Sequence, residues 1–146
     1  MADIFYNKTV TIWNKYADSI YESEVWLPTL IENVRLIVSE GNNIMKSGVD
    51  NVDSARLHID DAISVSSKPY LEPMAWKALP TSEKSNYYTL ESLDDTFFVE
   101  GDYTETDYTE HLFNFYEHMK LTCNNCFRIN KVDRFDLIPH FECWGK

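Results

Sequence analysis

The stretch from Asn125 to Lys146 constrains this chain most, because two strands and their connector fit into so few residues. In Phe127-Arg128-Ile129-Asn130 the apolar side chains fall on one face and the polar ones on the other. Phe141 and Cys143 alternate in the same way with His140, Glu142 and Trp144. The connector, Phe135-Asp136-Leu137-Ile138-Pro139, carries the Asp and Pro of a loop. A closing pair of antiparallel strands is the expected product, with the last strand paired inside a sheet.

The rest of the chain has to supply that sheet. Lys8 to Trp13 reads as a strand, with Val10 and Ile12 on one face. Asn14 to Glu24 is polar and reads as a turn region. Leu30 to Val38 reads as a second strand, so the chain opens with a hairpin whose turn is flanked by Trp13 and Trp26. Ser39 to Ser54 holds two of the four Gly and reads as a long loop. Arg56 to Ile63 returns as a strand, with Leu57 and Ile59 inward. Ser64 to Lys68 is a polar break. Pro69 to Pro80, with three Pro, reads as an extended segment or a short helix.

Tyr87 to Leu90 and Asp95 to Glu100 are further strand candidates, the second ended by Gly101-Asp102. Tyr103 to Lys120 reads as one helix. Asp107 and Glu110 have capping-box spacing, and Leu112, Phe115, Tyr116 and Met119 form the apolar stripe. Phe113 falls off that stripe. The expected fold is a single domain over residues 1–146, mainly β. It is a β-barrel or rolled antiparallel sheet with one amphipathic helix near the C-terminus and a long loop at 39–54. Aromatic residues make up 14% of the chain, which favours pleated, half-buried surfaces.

With 146 residues, a domain can bury roughly 70% of its unfolded surface, so neither metal nor disulfide is needed for folding. The net charge of −11 argues against adhesion to phosphate backbones or anionic membranes. No run of apolar residues is long enough to span a bilayer, and the first residues lack the pattern of a secretory signal. The three Cys are expected to be reduced thiols.

One constellation has metal-ligand character. Cys123-x-x-Cys126 and His140-x-x-Cys143 together offer three thiols and an imidazole, a donor set suited to tetrahedral Zn²⁺. Strand alternation opposes it, because Cys143 shares a face with Phe141 rather than with His140. Buried free cysteines account for the same residues, so the expectation is no metal and no cofactor. His111 and His118 lie seven apart on one helix face without a carboxylate pattern around them. Asp60-Asp61 and Asp94-Asp95 each adjoin a turn. No nucleophile elbow, phosphate loop or His-Glu-x-x-His motif occurs, and no enzymatic activity is expected.

Five segments together resemble a known family. These are Tyr6 to Tyr16 (Tyr-Asn-Lys-Thr-Val-Thr-Ile-Trp-Asn-Lys-Tyr), Trp26 to Leu36, Lys46-Ser47-Gly48, Asp95 to Asp102, and Phe127 to Asp136 continuing through Pro139-His140-Phe141-Glu142 to Gly145-Lys146. The pattern is similar to small structural proteins of tailed phages and prophages of Firmicutes, related to head-closure (stopper) head–tail connectors. The resemblance implies a small β-barrel that assembles into a homo-oligomeric ring, of six or twelve copies, in the virion neck.

It further implies a portal or adaptor ring above, tail terminator or other tail proteins below, and packaged DNA passing through the channel without specific binding. Assembly would take place in the host cytoplasm. By position, the family's interaction loop falls on Asn42, Asn43, Ile44, Met45, Lys46, Ser47, Gly48 and Val49. The cysteines are not part of the family pattern. Two alternatives stay open at this point, a tail terminator or tail-completion protein and a zinc-stabilised binding module.

Overall fold

The computed structural model describes residues 5–18, 23–39, 43–45, 48–50, 54–92 and 96–146. Its strands are β1 (Lys8–Asp18), β2 (Ser23–Ser39), β3 (Asn43–Met45), β4 (Gly48–Asp50), β5 (Ser54–Asp60), β6 (Val65–Ser66), β7 (Phe97–Glu100), β8 (Cys126–Phe135) and β9 (His140–Gly145). Two short helices, α1 (Pro73–Ala78) and α2 (Phe115–Thr122), accompany them. All ladders are antiparallel. The main sheet runs β1-β7-β8-β9-β5-β2-β6, and β1 also pairs with β2. Pairing therefore returns to its starting strand, and the sheet rolls into a ring. The mainly β fold with a helix near the C-terminus is the one expected from the sequence.

One residue turns the corner that makes closure possible. β2 gives residues 23–34 to β1 and its last five residues to β5. Near the end of the β1 pairing the register slips, with Lys8 opposite Val34 and Thr9 opposite Glu32, so Asn33 is the extra residue of a bulge. Its φ is 58°, a left-handed conformation that Asn tolerates better than most residues. β6 then continues along the edge of β2 that β5 has left, opposite Ile31 and Glu32.

The pleat sorts side chains into two cores. Inside the ring, Val10, Ile12, Ile31, Val34, Leu57, Ile59, Phe98, Phe127, Ile129, Phe141 and Cys143 meet, drawn from all six ring strands. Tyr88 and Leu90 join them from the segment before β7. Outside the ring, Trp13, Trp26, Phe97, Val99 and Cys126 pack against Phe115 and Met119 of α2. Phe97, Phe98 and Val99 are all buried because β7 is covered on both faces, which is why it reads as an unbroken apolar run.

Several boundaries differ from the sequence expectation. The polar stretch after Trp13 is strand up to Asp18, and β2 begins at Ser23, so the turn region shrinks to residues outside the described set. Lys15 supports this ribbon by pairing with Glu24 and lying over Trp26. β5 starts at Ser54 and stops at Asp60, where the Asp60 carboxylate accepts from the N–H groups of Ala62 and Ile63 and turns the chain. The supposed break at Ser64–Lys68 contains β6. Tyr87–Leu90 is no strand: Tyr88 makes one bridge to Tyr70. There the Asn14 side chain substitutes for a strand partner, with its amide donating to the Thr89 carbonyl and its carbonyl accepting from the Thr89 N–H.

The helix expected from Tyr103 to Lys120 is mostly not one. A short 3₁₀ turn covers Tyr108–His111, and α2 begins only at Phe115. Asp102 accepts from the Thr104 N–H and Asp107 from the Thr109 N–H, and such side-chain turns compete with helical hydrogen bonding. The Asp107–Glu110 box does not form, and Asp107 acts through Thr109 instead. Leu112, expected on the buried stripe, is only half-buried, whereas Phe115 and Met119 are in the core and Phe113 is 81% exposed.

Candidate functional site

Two features extend the ladder of β5 at its opposite ends, about 20 Å apart at the rise of a strand. The first is an arm. β2 and β5 pair as far as Ser39 opposite Ser54, and between these residues Asn43–Met45 pairs with Gly48–Asp50. Of the expected interaction loop, Asn43, Ile44 and Met45 lie in β3, and Gly48 and Val49 in β4, while Asn42, Lys46 and Ser47 lie outside the described residues. The segment expected as an unstructured loop thus carries a hairpin. Among the described residues, β3 and β4 pair only with each other.

The root of the arm is basic, against the overall charge of the chain. Trp144 carries Arg56 at 5.3 Å and Lys131 at 4.7 Å from its ring centroid. A hollow of about 330 Å³ lies here, lined by Ser39, Ser54, Arg56, Trp144 and the last residue, Lys146.

The second feature is the β8–β9 turn, an apolar tip. Leu137 is 98% exposed, and Ile138 and Phe135 are exposed beside it. Its base is fixed: the Arg134 guanidinium donates to both carboxylate oxygens of Asp61, at 2.8 and 2.6 Å, and the Asp61 N–H donates to the Pro139 carbonyl. Those paired hydrogen bonds hold the Asp61 carboxyl below its ordinary range. Bare apolar side chains on a rigid base are the usual makings of a contact surface.

The residues of the possible zinc set are distributed over separate surroundings. Cys143 lies inside the ring, Cys126 is in the outer core, and Cys123 packs at the margin of that outer core. Burial pushes both the Cys126 and the Cys143 thiols up to about 12, so in the metal-free chain both are neutral thiols. His140, at the start of β9, lies instead with His58 and Glu142. His111 and His118 stack face to face, with centroids 3.6 Å apart. Asp60 is a turn residue as expected, and Asp94-Asp95 lies outside the described residues.

Strand alternation alone did not bring out His58, Glu142, Arg56 or Lys131. It puts His140 and Glu142 on one face, but only the pairing of Glu142 with His58 across β5 and β9 assembles the group. No helix among the described residues is long and apolar enough to cross a membrane.

A family model described as a family of unknown function, DUF6751, matches residues 5–146. The chain belongs to this family. No curated protein and no solved structure matches it. For DUF6751 the match takes in both the arm and the tip, so the features that extend beyond the ring belong to the family's unit along with the strands.

Proposed function

We propose that this chain is a structural protein of a tailed phage or prophage, a ring-forming head-closure connector of the virion neck. It acts by assembly and catalyses no reaction. Copies join edge to edge into a ring beneath the portal or its adaptor, and the ring holds the DNA exit channel and presents a docking face to the tail. The particle is assembled in the host cytoplasm. The sequence resemblance to head-closure proteins gives this reading its direction.

The observation that carries it is the arm. Three residues pairing with three others is too little sheet to be stable in water without further partners. A hairpin that finds none among the described strands is suited to complete its pairing on a neighbouring copy. The acidic balance supports the same reading, because a channel wall that repels phosphate lets duplex DNA slide.

The test uses the direct opposition of Ser39 and Ser54 in the ladder. Residues 40–53 are replaced by a Gly-Gly turn in the phage genome and in the purified chain. The expected result is a folded protein with an almost unchanged melting temperature that no longer enters particles, leaving heads without tails. Infectious particles built normally with the shortened chain, or mature virions lacking the protein by mass spectrometry, would overturn the proposal.

A further inference from the structure

His58, His140 and Glu142 stand on the outward face of β5 and β9, where strand pairing sets His58 opposite Glu142 and His140 opposite Asp60. One ligand-capable atom of each lies within 4.8 Å of the other two. The Glu142 Oε1 is 3.4 Å from His58 Nδ1 and 4.0 Å from His140 Nε2. In a tetrahedral zinc site with bonds near 2.1 Å, neighbouring ligand atoms are about 3.4 Å apart. Small side-chain rotations would bring the three atoms to that spacing.

The hydrogen bonding of His140 favours a cation between them. Its Nδ1 is 2.6 Å from the Ile138 carbonyl, which can only accept, so Nδ1 holds a proton. In the neutral ring Nε2 is then a lone pair, and Nε2 is the atom turned toward the Glu142 carboxylate. Two acceptors facing each other repel unless a proton or a metal ion sits between. A carbonyl that fixes the far nitrogen of an imidazole is also the usual support of a metal-bound histidine. The His140 ring is stacked on Phe135 at 4.6 Å and 5° and lies parallel to the His58 ring at 6.3 Å, so a shared ion, which must lie in the plane of each imidazole, requires the His58 ring to turn about its Cβ–Cγ bond.

We propose that His58, His140 and Glu142 form a site for a single borderline divalent cation, Zn²⁺ in the first instance. Two imidazoles and one carboxylate suit Zn²⁺ better than Mg²⁺ or Ca²⁺, which take oxygen ligands. Three protein ligands leave a fourth position for water. The surroundings are mixed in charge. Asp133 pairs with Glu142 across β8, while Arg35 pairs with His58 across β2 and Arg56 lies two residues before it. His58 Nε2 is buried with no hydrogen-bond partner among the described residues, and coordination through Nδ1 leaves its proton there, a cost that the metal bonds must outweigh. The site shares His140 with the cysteine set and uses none of its thiols.

The experiment is Co²⁺ titration of the full-length, metal-stripped chain, followed by visible ligand-field absorption and by Zn²⁺ displacement with elemental analysis. The expected result is one ion per chain, with the intense visible bands of a low-coordinate nitrogen–oxygen site and no sulfur-to-cobalt band in the near ultraviolet. His140→Ala and Glu142→Gln weaken binding by roughly tenfold or more, while a Cys123→Ser, Cys126→Ser double variant leaves it unchanged. Circular dichroism confirms that the partly exposed His140 and Glu142 variants are folded. No binding by the wild-type chain, undiminished binding in folded His140→Ala, or loss of binding with the cysteines would each overturn the site. None of these readouts depends on ring assembly.

Discussion

Gly145 sits where no larger residue fits. A Cβ added there would lie 2.9 Å from the Phe127 Cβ and 3.2 Å from the Phe98 ring. The crowding arises at the β8 bulge, where Ile129 faces Gly145 and Lys131 already faces Trp144. Gly145→Ala is expected to cost about 1–3 kcal/mol, read as a lower urea midpoint, because the Phe127 Cβ moves only with its backbone.

Asp61 gives a pH dependence of known sign. Its carboxyl is held low in the folded chain by the Arg134 hydrogen bonds, so it stabilises the fold above the ordinary carboxylate value of 3.8 and loses that contribution as pH falls through its folded value. Both partners are partly exposed, so the effect is up to about 1 kcal/mol. Asp61→Asn should therefore lower the urea midpoint at neutral pH and converge on the wild type in acid; parallel curves at every pH would remove the Arg134 pairing as the cause. At this scale the sequence announced much. Asp60 as a turn residue, Phe113 as exposed, and Cys143 beside Phe141 all followed from local pattern. His58 with Glu142 did not, since nothing local to either residue specifies which strands become neighbours.

Among the elements, α2 depends on the aromatic group it covers. Phe115 meets Trp13 edge-on at 4.8 Å and lies 5.5 Å from Trp26 and 5.8 Å from Phe97. Lys120 ties the last turn of the helix to the Cys126 carbonyl at 2.6 Å. Phe115→Ala is expected to destabilise the chain by about 3–5 kcal/mol, measured by denaturant unfolding with tryptophan fluorescence. A loss below about 1 kcal/mol would mean that the helix is not a structural layer of the fold. The helix was legible from Phe115 onward because its stripe is real. It was overextended upstream because Asp-x-Thr turns mimic helical spacing. Strand lengths were underestimated for a related reason: Asn14 to Asp18 is polar, and where neither face of a ribbon is fully covered, as at Lys15 to Ala17, no apolar alternation is needed. The kink at Asn33 shifts the phase of the alternation: Ile31 and Val34, three residues apart, both face the interior, so a reading of one unbroken strand put Ile31 on the wrong face.

For the whole molecule, charge makes the plainest statement. With a net charge of −11, the purified chain should not retard duplex DNA in a native gel at physiological salt. A shift that fades steeply with added salt would show that the basic root of the arm, with Arg56, Lys131 and Lys146, outweighs the rest. A barrel or rolled sheet was readable from strand count and aromatic content, whereas the order of strands around the ring was not, because it depends on β1 meeting both β2 and β7.

The position of β9 has a consequence for how the molecule is made. Among the described residues it is the strand that joins β5 to β8 in the ring order, so until residues 140–145 pair, each of those two strands has one bare hydrogen-bonding edge. A nascent chain in that state is sticky in the way that amyloid precursors are. Protection of those two edges therefore waits on the pairing of residues 140–145.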